Sequence, residues 1–491
     1  MNHRERTTPS DPGSKRPAAR VALVVVMFAV LMTITCVVSG RWSYHLVSDT
    51  ASYLQYSFSS ASDAAKEIRT PVYPVVLRLF QCISPNQSAA LQLVAFAQIL
   101  LHAVASAAFF VELRNWKIGP RFSLAIAVTV AVGCTFWDNV STIATDCPAM
   151  SLGVLCGVLV LSSWRCGFSS HRIAMLGVCV FLAVGLRPAY LFLIPWAAGC
   201  ALLRPSGATP TLPTRRLCDA AMIIAIPVVA VLGWCVFRYS AAGDFSILPF
   251  GHQNMAAVTT QLLDNDELKS IPGRVGKLAS EIADLRVAVS QGKPTANETL
   301  PPGTRLPSAD GLDLRTSSDP AMRAESFMTL ENRWDAMTYL VVIPAAAKVI
   351  PDDTIAQHQL LAELDKQIVL AYPTRYVRWW LLAIRRGMWG SAANMVMHPL
   401  FLISIIAFAL FAIYRCVSPM ARPDDPGAFA TCDAGYRALV LLAFTYAAYK
   451  LGFVALTSPP IGRFSDAAFV FIPGILLCAA FALLQRIRQS T

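Results

Sequence analysis

Of the 491 residues, 55% are hydrophobic and only 14% charged, whereas soluble globular chains carry roughly 25% charged residues. The mean hydropathy of +0.52 and the repeated long apolar runs place the chain in a bilayer. They exclude a disordered regulator, a disulfide scaffold and a nucleic-acid reader. The thirteen cysteines are scattered without a Cys-x-x-Cys pair, so neither a zinc site nor a thioredoxin-like motif has support. Most of them read as small buried hydrophobes, Cys36, Cys156, Cys179, Cys235 and Cys478 among them.

A spanning helix needs about 20 largely apolar residues. On that measure the expected fold is an all-α membrane protein, a polytopic helical bundle of about ten spans with one long outer segment. After a disordered cytoplasmic tail at 1–19, the spans are 20–39, 88–111, 122–138, 147–163, 173–186, 188–203 and 217–238. These form a first membrane domain, 20–238, that contains the first outer loop. An outer, periplasmic segment follows at 239–390, and C-terminal membrane helices occupy 391–491, with spans at 395–415, 437–457 and 467–485. Arg187-Pro188 separates the fifth span from the sixth, so that pair is expected to be bent or only partly spanning.

Loop charges set the orientation. With an uncleaved first helix and both termini in the cytoplasm, cytoplasmic segments hold 18 Lys and Arg and the short outer loops 6. The long polar stretch 240–380 has 17 acidic and 13 basic residues, so it nets −4 while the rest of the chain nets +15. The overall charge of +11 is thus mainly topological. Within that stretch, 262–290 has a helical face with Leu278, Ile282 and Leu285; 293–320 reads as loop; and 353–371 is amphipathic. The aromatic and Arg content of 372–380 suits a helix lying at the membrane interface.

Several polar residues fall at the outer ends of the spans. The first outer segment opens with Ser48-Asp49-Thr50-Ala51-Ser52-Tyr53 and closes with Arg69-Thr70-Pro71-Val72-Tyr73-Pro74. Asp49 suits a general base, and on composition alone it suits better still a cap for the amphipathic stretch 50–66. Asp146, two residues before Pro148, suits an ordinary helix start. Arg187 stands at a break where an ionisable group tends to line a cavity. Lys450 in the ninth span can snorkel outward or serve a site. His252 follows the seventh span, where a lone histidine is commonly a satisfied loop residue. Arg463, before the final span, suits phosphate binding, anchoring or pairing with Asp466. His102 and His398 have no partners at metal-ligand spacing, so no metal ligands are assigned.

Taken in order, these features resemble the C-type superfamily of polytopic glycosyltransferases, the protein mannosyltransferase and aminoarabinose transferase relatives. The resemblance covers roughly 40–205 and 455–485, and the Arg69 to Pro74 run is its most specific piece. It implies an enzyme of the bacterial inner membrane that moves a sugar from a polyprenyl-phosphate donor to a glycan, lipid or protein acceptor on the outer face. Carried over residue by residue, Asp49 matches the acceptor-activating first-loop acid. Asp146 matches the second acidic position, which in some relatives helps hold a divalent ion such as magnesium or manganese. Arg463 matches the late arginine that meets the lipid phosphate, and Tyr53, Arg69, Tyr73, Arg187 and His252 complete the candidate substrate-binding set. The chain departs from the pattern at Thr50, where a second acid would stand, and at Phe464, where tyrosine is commoner. Two other readings stay open: a transporter or lipid flippase using Arg187 and Lys450, and a non-catalytic partner in cell-envelope glycan assembly.

Overall fold

The computed structural model describes residues 16–136, 140–203, 205, 212–291, 333–397, 427–460 and 465–476. The expected loop at 293–320, most of the expected span 395–415, Arg463 and the second half of the last span lie outside the described residues. So do Asp138 and residues 1–15 of the tail expected to be disordered. The described residues are helical apart from loops and one isolated parallel bridge between His45 and Thr142.

The membrane part consists of α1 (Arg16–Val38), α5 (Gln87–Asn115), α6 (Pro120–Phe136), α7 (Asp146–Cys166), α8 (Ser170–Leu186), α9 (Leu193–Leu202), α10 (Pro213–Ala242) and α17 (Gly427–Thr457). Short helices α2 (Ser48–Leu54), α3 (Ala61–Lys66) and α4 (Val72–Ile83) fill the first loop. Among the described residues, five helices are long and apolar enough to cross a membrane: Val21–Val38, Gln87–Asn115, Asp146–Cys166, Pro213–Ala242 and Ala434–Thr457. The apolar helices at α4, α6, α8 and Pro188–Leu202 are shorter.

Burial ranks these helices by position. In α7, 78% of the apolar window is buried, against 17% in α1 and 22% in α10. With no driving force to hide apolar side chains from lipid, peripheral helices present Leu23, Val30, Val229 and Val236 outward. Close approach at the centre depends on small residues: a Cβ on Gly157 of α7 would stand 2.7 Å from Phe471 Cζ, and one on Gly177 of α8 would stand 2.6 Å from Ile226 of α10.

Helix ends sort into two groups. At the first, Arg165 of α7 donates to Glu112 of α5 at 2.9 Å, and Trp116 Nε1 donates to Leu161 O. The first residues of α17 join it there, since a Cβ on Gly435 would lie 3.0 Å from Trp116 O. At the opposite end, Gln92 of α5 donates to Trp42 O just after α1, and His45 pairs with the segment before α7. This second group also holds the C-termini of α8, α10 and α17, and the candidate residues gather there; it is called the site end below.

Between α10 and α17 the chain builds a helical unit on the site end. It contains α11 (Gly251–Thr259), α12 (Asn265–Lys269), α13 (Arg274–Ser290), α14 (Ile343–Val349), α15 (Thr354–Ala371) and α16 (Pro373–Met397). Its own apolar core includes Leu278, Ile282, Met337, Val341, Leu361 and Leu364. Leu278 and Ile282 are thus interior as their spacing implies, while Leu285 packs at the margin. Fully buried Arg286 ties the unit together by donating to the carbonyls of Leu263 (3.0 Å) and Thr260. Arg375 adds a bidentate pair with Glu267 at 3.0 and 2.9 Å.

The expected interfacial helix at 372–380 is the start of the longer α16. This helix crosses the site ends of α17 and the following 3-10 turn: Tyr376 Oη donates to Leu456 O at 2.6 Å, Trp380 Nε1 to Gly452 O at 2.8 Å and Ser391 Oγ to Ser465 Oγ at 3.0 Å. Trp379 and Ala383 face inward, while Val377, Leu381, Met388 and Trp389 are exposed.

Candidate functional site

Two acid–guanidinium pairs organise the site end. In the first, Asp49 is the second residue of α2, behind an extended Val47 at the N-cap position. Asp49 therefore does not occupy the N-cap position; its Oδ1 accepts from Arg69 Nη2 at 2.7 Å. The capping expectation for Asp49 is therefore corrected, because a charged partner twenty residues on competes better for the carboxylate than a local backbone amide. The expected single amphipathic stretch 50–66 is likewise two helices, the second capped by Ser60, whose Oγ accepts from Asp63 N.

Arg69 is held from three sides. Its Nε donates to Ser52 Oγ at 2.8 Å, and its guanidinium lies 4.8 Å over the Tyr53 ring. The α2 helix sets this arrangement, since Asp49, Ser52 and Tyr53 share one face at three- and four-residue spacing. Tyr53 stands edge-on to Tyr73 at 5.1 Å between centroids and shares a 3.3 Å hydrogen bond with Thr145 Oγ1. Tyr73 Oη donates to Gln98 Oε1 at 3.0 Å, and Gln98 in turn donates to Val140 O and Thr142 O. An interior hydrogen-bond chain thus ties the first loop to the segment that leads into α7.

In the second pair, Asp146 opens α7 and Arg187 ends α8. The carboxylate is 5% exposed and its Oδ1 contacts Arg187 Nη1. Pro188 accounts for the location of the arginine. The residue before a proline is driven out of the helical region, and Arg187 is extended at φ −148° and ψ 111° before the 3-10 turn Pro188–Phe192. Asp146 adds negative charge at the α7 N-terminus, where the helix dipole favours it. The bend expected between the fifth and sixth spans is present here.

Through Tyr53 and Thr145 the two pairs are neighbours: Thr145 directly precedes Asp146, and Tyr53 carries Arg69 on its ring. Asp49, Tyr53, Arg69, Tyr73, Asp146 and Arg187 therefore belong to one constellation. Lys450 lies beside it, and the snorkelling alternative does not hold. The side chain is 2% exposed, with Nζ 4.1 Å above the Tyr190 ring, three residues after Arg187. Arg463 lies outside the described residues.

His252 belongs to a different cluster, at the base of the helical unit. Its Nδ1 is 2.9 Å from Asp365 Oδ2, and Asp365 Oδ1 accepts from Thr259 Oγ1 at 2.6 Å. The His358 ring lies 5.0 Å from the His252 ring, and His358 Nδ1 is 4.0 Å from Asp244. Asp244 pairs at 2.8 Å with Arg238, which is fully buried and donates to Ala65 O of α3 at 2.8 Å. Burial pushes the Asp365 carboxyl up to about 6, against the pull of His252 and Thr259. Burial, with His252 and Arg238 nearby, pushes His358 down to about 4, while Asp244 opposes the shift.

His252 is the one member of this cluster that its sequence position marks. Asp244, His358 and Asp365 come from a loop and a helix up to 121 positions apart, and no local pattern connects them. Arg238 and Asp244 carried one usable signal, a charged pair bracketing the end of a span.

Among the described residues, no group of three or more His, Cys, Asp or Glu converges in a way that could hold a metal ion. The acids a divalent ion would use at this end, Asp49 and Asp146, each face a guanidinium. The donor set in this arrangement does not form a cage for one. No protein-family model, curated protein or solved structure matches the chain.

Proposed function

We propose that the chain is a glycosyltransferase that moves a sugar from a polyprenyl-phosphate donor to an acceptor at the outer face of a membrane. The observation that carries this reading is the convergence of Asp49–Arg69 and Asp146–Arg187 on one end of an apolar bundle, joined through Tyr53 and Thr145. That end lies opposite the one bearing Arg114, Arg165 and Arg437, and the positive-inside bias supports reading it as the outer end.

Transfer at such a place needs few parts. The isoprenoid tail of the donor stays in lipid while its phosphate reaches the interface. Asp49 takes the proton of the acceptor hydroxyl, whose oxygen attacks the anomeric carbon. The bond from that carbon to the phosphate oxygen breaks, its electron pair leaves with the lipid phosphate, and the anomeric centre inverts. Arg187 and Arg463 favour the charge that develops on the departing phosphate.

Native mass spectrometry of the gently purified protein, beside Arg463→Ala, tests the donor site without a guess at the acceptor. The expected result is a bound polyprenyl phosphate, free or sugar-bearing, that the variant loses. Ordinary phospholipid alone in both, with added polyprenyl-phosphate sugar also failing to bind, overturns the reading. It would favour a transporter, for which buried Lys450 inside a spanning helix is the supporting observation.

A further inference from the structure

The His252 cluster is separate from the paired-acid site, and its hydrogen bonds assign it a task. Asp365 is 1% exposed and holds two protein donors, Thr259 Oγ1 and His252 Nδ1. Oδ1 already accepts the Thr259 hydroxyl, which leaves Oδ2 to accept the His252 N–H. The proton between Asp365 and His252 therefore sits on Nδ1, and the Nε2 of a neutral His252 carries a lone pair. The His252 side chain is 36% exposed, and Nε2 has no hydrogen-bond partner among the described residues. A buried carboxylate that fixes one tautomer of a part-exposed imidazole is costly to build, because burying a carboxylate disfavours its charged form.

We propose that His252, oriented by Asp365, binds a hydroxyl of a glycan acceptor through its Nε2 lone pair. This deepens the glycosyltransferase reading and rests on it. The chemistry selects the ligand class: a nitrogen lone pair accepts from an O–H donor and repels a phosphate or carboxylate. Asp365 is a positioning residue, acting through His252.

The cluster is also joined to the first loop. His252 packs on His358, His358 faces Asp244, Asp244 pairs with Arg238, and Arg238 holds Ala65 O, four residues before Arg69. An acceptor seated on the helical unit therefore rests on the wall that carries Asp49 and its partner. The charged and titratable groups facing the His252–Asp365 pair are His358 from α15, Asp244 from the loop after α10, Arg238 from α10 and Tyr376 from α16.

Two measurements on the full chain test this. The first is the time course of His252 carbethoxylation by diethyl pyrocarbonate at one fixed pH, followed by peptide mass spectrometry in nanodiscs. Asp365→Asn is expected to slow it roughly threefold or more, since a neutral amide polarises the Nδ1–H less and leaves Nε2 a weaker nucleophile. An unchanged rate overturns the dyad, and this arm requires neither donor nor acceptor.

The second compares cell-envelope glycans in the source organism among a deletion strain, Asp49→Asn, His252→Ala and His252→Gln. Expected is a glycan modification absent in the deletion and reduced at least tenfold in His252→Ala, whose protein still retains the donor lipid. His252→Gln, which keeps a hydrogen-bond acceptor, is expected to recover part of it. A normal glycan in His252→Ala, with the deletion defective, overturns the acceptor site and leaves the transferase reading standing. An unaltered glycan in the deletion overturns both. Should either variant lose the donor lipid through misfolding, the carbethoxylation rate decides.

Discussion

The spanning bundle and the helical unit on its site end bury charge in opposite ways. In the bundle, Asp146 and Arg187 meet as a direct ion pair at the ends of two helices, an acid against a guanidinium that stays charged at any working pH. In the unit, Asp365, His252, His358 and Asp244 form a chain of carboxyls and imidazoles, in which burial pushes Asp365 up to about 6 and His358 down to about 4. The first arrangement holds a permanent charge pattern, which suits the phosphate handling proposed for it. The second holds proton positions, which suits the hydroxyl binding proposed for His252. Lipid adds a further contrast: α1 and α10 turn apolar side chains outward, whereas the unit keeps its Leu and Ile inside.

The comparison breaks most sharply at Asp146. Replacing it with Ala leaves Arg187 without its buried carboxylate, a loss on the order of 3–5 kcal/mol. Thermal unfolding in detergent should show a large drop, and Arg187→Ala the same, while Asp146→Asn/Arg187→Gln recovers much of the stability but no transfer activity. A small effect in both single variants would show that the pair contributes little. Next in size is Gly157→Leu in α7, which drives a side chain into Phe471 and should cost about 1–3 kcal/mol by overpacking. A crosslink between α7 and the last span would report the separation.

The unit makes a pH prediction in which two groups oppose one another. Asp365, raised from 3.8 to about 6, contributes stability that is present at low pH and lost as pH rises through about 6. His358, lowered from 6.5 to about 4, contributes stability that is present above 6.5 and lost as pH falls through about 4. Between pH 4.5 and 6 the two slopes offset each other, so the wild type should be nearly flat there. His358→Gln should become more stable on acidification and Asp365→Asn less, each by on the order of 1–2 kcal/mol. Parallel pH profiles for the two variants in chemical denaturation would contradict this assignment. The smallest expected effect is at the partly exposed Arg375–Glu267 pair, where Glu267→Gln should cost less than about 1 kcal/mol and less again at high salt.

Much of the bundle was legible because a span is a composition signal of about 20 residues and needs no partner to be recognised. The break at Arg187-Pro188 was legible too, since proline constrains its own backbone and that of the residue before it. Helix α4 was missed as an apolar element: its twelve residues fall short of a span and stand inside a loop that reads as polar. The candidate residues were legible as types at helix ends, but their pairing was not. Asp49 read more readily as a cap, and Lys450 as readily as a snorkelling anchor, until distant groups were placed beside them.

Composition and periodicity by themselves determined that this protein is helical, with helices long and apolar enough to cross a membrane and with Asp49, Asp146, Arg187 and His252 near helix ends. Those features come from transfer of local segments out of water, which each segment settles alone. Tertiary structure alone decided that Asp49 meets Arg69, that Asp146 meets Arg187, and that Asp365 orients His252 from 113 positions away. An ion pair or a fixed tautomer is a property of two groups and the low dielectric between them, so it exists only once folding has brought both to one place.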